Sequence, residues 1–402
     1  MRTTTLIGAG ALAAAAVLVG PAAALASTSS TLYVAPNGHD SSPCSRTAPC
    51  RTIGHTIHTA HAGNTVLVAP GTYREHVTVG KRLALRAQGP GTLIDATGAL
   101  NGIGLGVDFS DPNTRVGNAS GSTVNGFTIK NATQEGIVAL GSNFDIANNV
   151  IAHNDLGATS AHPAGECAGE GQVPGDCGEG LHLAGVTHSI IEGNYVTGNQ
   201  GGILVSDEFG PTAFNLIAHN TVVNNVPDCG ITLPGHNPAA INSSGVRQPS
   251  MGGVYRNRII DNTVNANGAA GIGFFAGGPG TGSYDNTAEG NSISSNGIPG
   301  VAIHTHALHS DTNGNRILGN FFSRNGLGEG GSAPVGDPGT PVNTTTNIDV
   351  VADPGATPIS GTVIQHNRIT NARVGIWLVT GGGSTTLGGN TFQNVQTPVR
   401  HS

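Results

Sequence analysis

The sequence predicts an all-β solenoid, a single-stranded parallel β-helix with a capping helix at its N-terminal end. Two repeating patterns predict it. An Asn followed two places later by an apolar residue returns as Asn149, Asn194, Asn220, Asn262, Asn291, Asn320, Asn367 and Asn390. A second Asn follows five places on in most copies, as Asn154, Asn199, Asn225, Asn267, Asn296 and Asn325. Self-similarity at intervals of roughly 20–50 residues is the mark of a solenoid, one unit per coil. The second pattern is a Gly-apolar-x-apolar strand after the second Asn: GIVAL (136–140), GLHLA (180–184), GILVS (202–206), GITLP (230–234), GIGFF (271–275), GVAIH (300–304) and GIWLV (375–379).

The residue types suit those places. Coils stack about 4.8 Å apart, so identical Asn side chains at one corner can bond up and down in a ladder, and Asn tolerates the left-handed backbone of a sharp corner. Alternation along the Gly-led strand puts Ile203 and Val205 inside and Leu204 and Ser206 outside. The same register turns His182, Thr232, Gly273, Ala302 and Trp377 outward. Gly is 63 of 402 residues, charged residues are 10% and aromatics 4%, a balance suited to many short strands and tight turns and too apolar for a disordered chain. The repeat runs to the C-terminus without a linker, which predicts one long domain.

Residues 1–26 read as a secretory signal: Arg2, an apolar run, and the small residues of ALA (24–26). No other apolar stretch has the length to span a membrane. Without the signal 16 basic residues face 24 acidic ones, a balance that excludes nucleic acid and anionic membranes as partners. Export permits disulfides, so Cys44–Cys50 and Cys167–Cys177 are expected pairs, each closing a short loop, with Cys229 left over. No CxxC exists and the spacings do not fit zinc. Residues 27–80 are expected to hold the cap and the first strands, with Ile53, Ile57 and Ala60 on one helical face, and 81–402 the coils with their loop insertions.

The run YVAPNG…TAPCRTIGHTIHTAHAGNTVLVAPGTYREHVTV resembles the opening of secreted right-handed parallel β-helix proteins of the pectate-lyase-like superfamily. With the repeats, the resemblance covers about 90% of the mature chain. It implies a right-handed helix, a carbohydrate ligand, and binding along the outer face of the Gly-led strands, flanked by long loops. The superfamily includes lyases, hydrolases, epimerases and non-catalytic proteins, so it implies no single reaction. The residue sets of the polygalacturonase-like hydrolases, of the mannuronan epimerases and of the commonest calcium pectate lyases are absent. Asn64 stands where such openings often carry Asp.

Two polar groups fall on that face. Glu179, His182, Asp207 and Glu208, on neighbouring coils, are the candidate catalytic residues. A carboxylate pair (Asp207, Glu208) holding Ca²⁺ beside His182 as base suits uronate cleavage, and two carboxylates as acid and base suit glycoside hydrolysis. The bland alternative is an exposed acidic turn beside a surface histidine. Four coil steps away, about 19 Å at ~4.8 Å each, HTHALHSD (304–311) offers His304, His306, His309 and Asp311 as sugar contacts or a transition-metal site. Trp377, the only tryptophan, is either a sugar-stacking platform or a packed anchor. His153, His188, His219 and His366 read as surface corner residues. The expectation is a secreted, monomeric enzyme acting on an extracellular polysaccharide, with a non-catalytic glycan-binding or cell-surface structural protein as the alternative. A copper-accessory type of metal-handling β-helix is a third class, motivated by the histidine loop alone.

Overall fold

A computed structural model describes residues 30–108, 115–154, 179–226, 228–327 and 345–401. The expected Cys167–Cys177 pair, the signal segment and the insertions at 155–178 and most of 327–346 lie outside these residues.

Successive coils build three main parallel arrays of short strands, and some coils add a fourth short strand, such as Val254–Tyr255 and Ser283–Tyr284. One array is a twelve-stranded sheet whose members include Asp145–Ala147, Ile190–Glu192, Leu216–Ala218 and Arg258–Ile260. The second holds the strands after the first Asn, such as Val150–Ala152, Tyr195–Thr197 and Thr221–Val223. The third holds the Gly-led strands, with Ile137, Leu181, Ile203 and Ile231 in register. The side chains these arrays turn inward, among them Ile146, Ile151, Leu181, Val222 and Ile231, are fully buried in one continuous core. Burying each such side chain stabilises by about 1.5–3 kcal/mol. The expected strand over GIWLV extends further, as Arg368–Val379. Thr346–Ala352 is a Gly-led-array strand without the Gly, because Asn347 occupies the place of Gly375 in the next coil.

The Asn residues form ladders. Asn220 donates from its backbone N–H (2.9 Å) and from Nδ2 (3.0 Å) to Asn262 Oδ1, donates from Nδ2 to the Ile191 carbonyl (2.9 Å), and accepts the same pair of bonds from Asn194. The second ladder runs from Asn154 through Asn199, Asn225, Asn267, Asn296 and Asn325 to Asn347. A third, at the remaining corner, joins Ser189, Asn215, Asn257, Asn286 and Asn315. The expectation of left-handed backbone at the ladder Asn is corrected. The residue before it takes that conformation: Asn148 (φ 57°), His219 (φ 55°), Asp261 (φ 52°) and His366 (φ 57°). His153, His188, His219 and His366 are exposed corner residues, as expected.

The Gly before each outer strand is required by packing. A Cβ on Gly202 would sit 2.1 Å from the Gly230 carbonyl oxygen and 2.4 Å from Val222 Cγ1.

At the N-terminal end the helix Ile53–Thr59 covers the core with Ile53, Ile57 and Ala60 buried. The first two N–H groups of a helix have no partner within it. Here the Glu75 carboxylate accepts both, from Ile53 and Gly54 at 2.9 Å each, which gives the Glu of the GTYRE motif a physical role. Cys44 and Cys50 are disulfide-bonded. The strand Thr31–Val34 already belongs to the twelve-stranded sheet, so cap and coils share one core. No helix among the described residues is long and apolar enough to cross a membrane.

Candidate functional site

The outer strands stack His182, Leu204, Thr232, Gly273 and Ala302 in one column, followed by Asp349 and Trp377. The predicted register therefore holds, and the two polar groups stand four coils apart. Outward does not mean exposed here. His182 is fully buried and Glu179 is 3% exposed.

The first group is built around His182. Its Nδ1 lies 3.3 Å from Glu135 Oε1, and its Nε2 lies 2.9 Å from Ser206 Oγ and 3.6 Å from Glu208 Oε2. Glu208 Oε1 is 3.0 Å from His236 Nδ1. Glu135 Oε2 accepts the Glu179 backbone N–H at 3.0 Å, tying the two coils together. Asp228 approaches from the next coil, since a Cβ on Gly201 would meet Glu179 and Asp228 Oδ2 alike. Burial alone would lower the His182 pKa, but the Glu208 charge and the Glu135 hydrogen bond and charge outweigh it and raise it above the ordinary histidine value. Both ring nitrogens face protein groups, Nδ1 the Glu135 carboxylate and Nε2 the Ser206 hydroxyl and the Glu208 carboxylate.

The expected role of Asp207 is corrected. It is fully buried and accepts backbone N–H groups from His236 (2.6 Å), Asn237 (3.0 Å) and Gly253. It clamps the two ends of the insertion after Pro234 and thereby sets His236 against Glu208. Burial pushes its pKa up, against the three N–H bonds that lower it. With its oxygens on backbone and those of Glu208 on imidazoles, Asp207 and Glu208 do not form the expected cation pair. Glu135, Glu179 and His182 do converge, with one ligand atom from each within 4.8 Å of the others.

The second group does not close a metal site. His304 Nε2 is 3.1 Å from Asp349 Oδ1, and both residues are buried. His306 Nδ1 is 3.0 Å from Asp353 Oδ2. Asp311 is taken by Arg247 (Nε to Oδ2 2.6 Å), which also binds Asp285 at 2.7 Å. His309 sits at a left-handed turn with φ 60°. Trp377 is only 6% exposed, and the Arg400 guanidinium lies 4.6 Å from its ring centroid. It is a packed anchor, and a sugar has no open indole face to stack on.

Sequence reasoning missed Glu135, Ser206 as a partner of His182, His236 and Asp349. Glu135 had a usable signal. QEGIVAL and GEGLHLA place Glu before the strand-opening Gly in adjacent coils, so aligned registers stack Glu135 on Glu179.

Residues 114–255 match the family model described as the right handed beta helix region, and residues 36–80 match that of a protein of unknown function, DUF1565. Together with the parallel coils this decides the class. The chain is a right-handed parallel β-helix. Among solved structures, it is similar to the A-module of mannuronan C-5 epimerase AlgE4 of Azotobacter vinelandii (14% identity, 87% of this chain and 93% of that one, TM-score 0.54). It is also similar to an alginate lyase from Paenibacillus sp. str. FPU-7 (13%, 92% and 99%, TM-score 0.50) and to the catalytic domain of a GH87 alpha-1,3-glucanase (13%, 84% and 63%, TM-score 0.51). At such identities the likeness is one of fold. A curated relative, the uncharacterized protein YwoF of Bacillus subtilis, is 30% identical over 130 residues, which are 29% of this chain and 27% of the relative.

Proposed function

We propose that this β-helix is a secreted enzyme that cleaves an extracellular polysaccharide lying across its outer strands, with proton transfer at the Glu208–His236 pair. The observation that carries the reading is the convergence of Glu135, Glu179, His182, Glu208 and His236 from neighbouring coils on one face. Charged groups are seldom buried together for stability alone, and perturbed clusters of this kind concentrate where chemistry is done. Glu208 and His236 are the members nearest solvent, with side chains 10% and 5% exposed. His182 stands behind them, its Nε2 3.6 Å from Glu208 Oε2. Glu179 and Glu135 complete the pocket. The carboxylate and imidazole of the outer pair supply the acceptor and donor that cleavage of a glycosidic bond requires.

The carboxylate excess of the pocket bears on the substrate. It repels a polyuronate unless a cation intervenes and admits a neutral glycan directly. The similar structures include proteins named for both kinds of substrate, alginate and an α-1,3-glucan. Export fits the N-terminal reading and the Cys44–Cys50 disulfide.

The test is a panel of neutral glucans and uronate polymers, followed by reducing-end release and by near-ultraviolet absorbance of unsaturated products. Turnover of one polymer class, lost in Glu208→Gln, is the expected result. If no polymer is cleaved but one is retained on an affinity gel, a non-catalytic glycan-binding protein takes the place of this reading.

A further inference from the structure

Three carboxylates, Glu135, Glu179 and Glu208, face the imidazoles of His182 and His236 in one buried cluster. Carboxylates and imidazoles are the ligand types a divalent ion takes. One oxygen of Glu135, one of Glu179 and one ring nitrogen of His182 lie within 4.8 Å of one another. First-row divalent ions bind N and O ligands at about 2.0–2.2 Å, so the trio closes onto an ion by drawing its side chains inward. The opposite edge of the imidazole is already supported. Nδ1 faces Glu135, while Nε2 faces Ser206 and Glu208, and Glu208 is held in turn by His236. A metal-bound imidazole is oriented by this arrangement, its far N–H on a carboxylate or hydroxyl.

A separate observation comes from the preceding coil. Asn101 is 1% exposed and neither of its amide atoms has a hydrogen-bond partner, which is costly for a buried amide. It stands one coil before Glu135, since the Gly102 N–H bonds the Glu135 carbonyl at 3.0 Å. Its Nδ2 lies 3.2 Å from where a Cβ of Gly104 would be, on the outer column that continues to Val138 and His182. The amide thus lies on the same face as the trio, one coil before Glu135.

We propose that Glu135, Glu179 and His182 bind a divalent transition-metal ion such as zinc or manganese, with the Asn101 amide as a further oxygen donor. The imidazole ligand selects this class over calcium, which takes oxygen ligands. The inference rests on the same cluster as the functional reading, but its test needs no glycan.

The full secreted chain, stripped with chelator, is titrated with ZnCl₂, MnCl₂ and CaCl₂ by calorimetry, and bound metal is counted by elemental analysis. Expected are one zinc or manganese ion per chain, a rise in Tm on binding, and weaker binding at lower pH as protons compete for His182. Ser206→Ala, which touches only the far edge of the ring, should weaken binding about 10-fold or more. Glu135→Gln should abolish it, and Asn101→Ala, a milder change, should weaken it even if Glu135→Gln fails to fold. A wild-type chain that takes up neither transition metal, one that prefers calcium, or an Asn101→Ala and Ser206→Ala pair that binds like wild type overturns the proposal. Metal uptake without glycan cleavage would leave this site standing and remove the enzymatic reading; cleavage by a chain that takes up no metal would do the reverse.

Discussion

The Asn corners and the outer-face cluster are both columns of buried polar side chains crossing successive coils, yet they satisfy themselves by opposite means. An amide carries donor and acceptor together, so each Asn completes its identical neighbour and the column repeats at every coil without charge. A carboxylate cannot complete a carboxylate. Glu135 needs His182, His182 needs Glu208, and Glu208 needs His236, each from a different coil. The first kind of column serves stacking anywhere along the solenoid, and the second needs a different partner at each coil. On the proposed reading, stability and chemistry belong to different faces of the same coil.

Gly202 and Gly201 mark the two faces one residue apart and allow the largest test of that division. Gly202→Ala drives a methyl into the Gly230 backbone and Val222, and should destabilise by about 3 kcal/mol or more, read from urea midpoints. Gly201→Ala meets only the flexible Glu179 side chain at 3.1 Å and Asp228 at 3.5 Å. It should cost under about 1 kcal/mol while disturbing the cluster. Equal losses of stability would erase the distinction.

Next in size is Asn220→Ala, which leaves Asn194 and the Ile191 carbonyl without their partners and should cost about 1–3 kcal/mol. Glycan affinity should not change.

The columns should also part company with pH. Amides do not titrate, whereas the carboxylates around His182 hold its pKa above the ordinary histidine value. The folded, chelator-treated chain therefore keeps a proton that the unfolded chain releases. That contribution is complete below the unfolded pKa and fades as pH rises through the folded one. Melting temperatures should fall across that window in the wild type and flatten in His182→Gln, while Asn220→Ala keeps the slope. The smallest effect belongs to Arg400→Ala. Losing its stacking on Trp377 should cost about 0.5–1 kcal/mol and leave glycan binding unaltered.

The cap, the coil order and the register of the outer strands were legible because the solenoid writes the same rule many times. Asn149 and its successors are visible as a spacing before any contact is known. The third corner escaped because Ser189 stands in for Asn and the insertions make its intervals irregular. The coil at Thr346–Ala352 escaped because Asn347 replaces the expected Gly. The site was half legible: His182, Glu179 and Glu208 announce themselves by type and face. Glu135 acts only through stacking on the next coil, and Asp207 looks catalytic until the loop it clamps is in place. Trp377 stayed open between platform and anchor because nothing near it in sequence shows that Arg400, from the last strand, covers its ring.

The account stands most directly on a crossed comparison of Glu208→Gln and Asn220→Ala on whichever polysaccharide the wild type cleaves. Glu208→Gln should lose at least ~100-fold in kcat, as expected for a missing acid or base, while remaining folded at the assay temperature. Asn220→Ala should melt earlier and retain wild-type kcat while folded. Full turnover in Glu208→Gln, or a loss of kcat in Asn220→Ala equal to that of Glu208→Gln, would contradict the claim that the cluster on the outer face carries the chemistry and the corners do not.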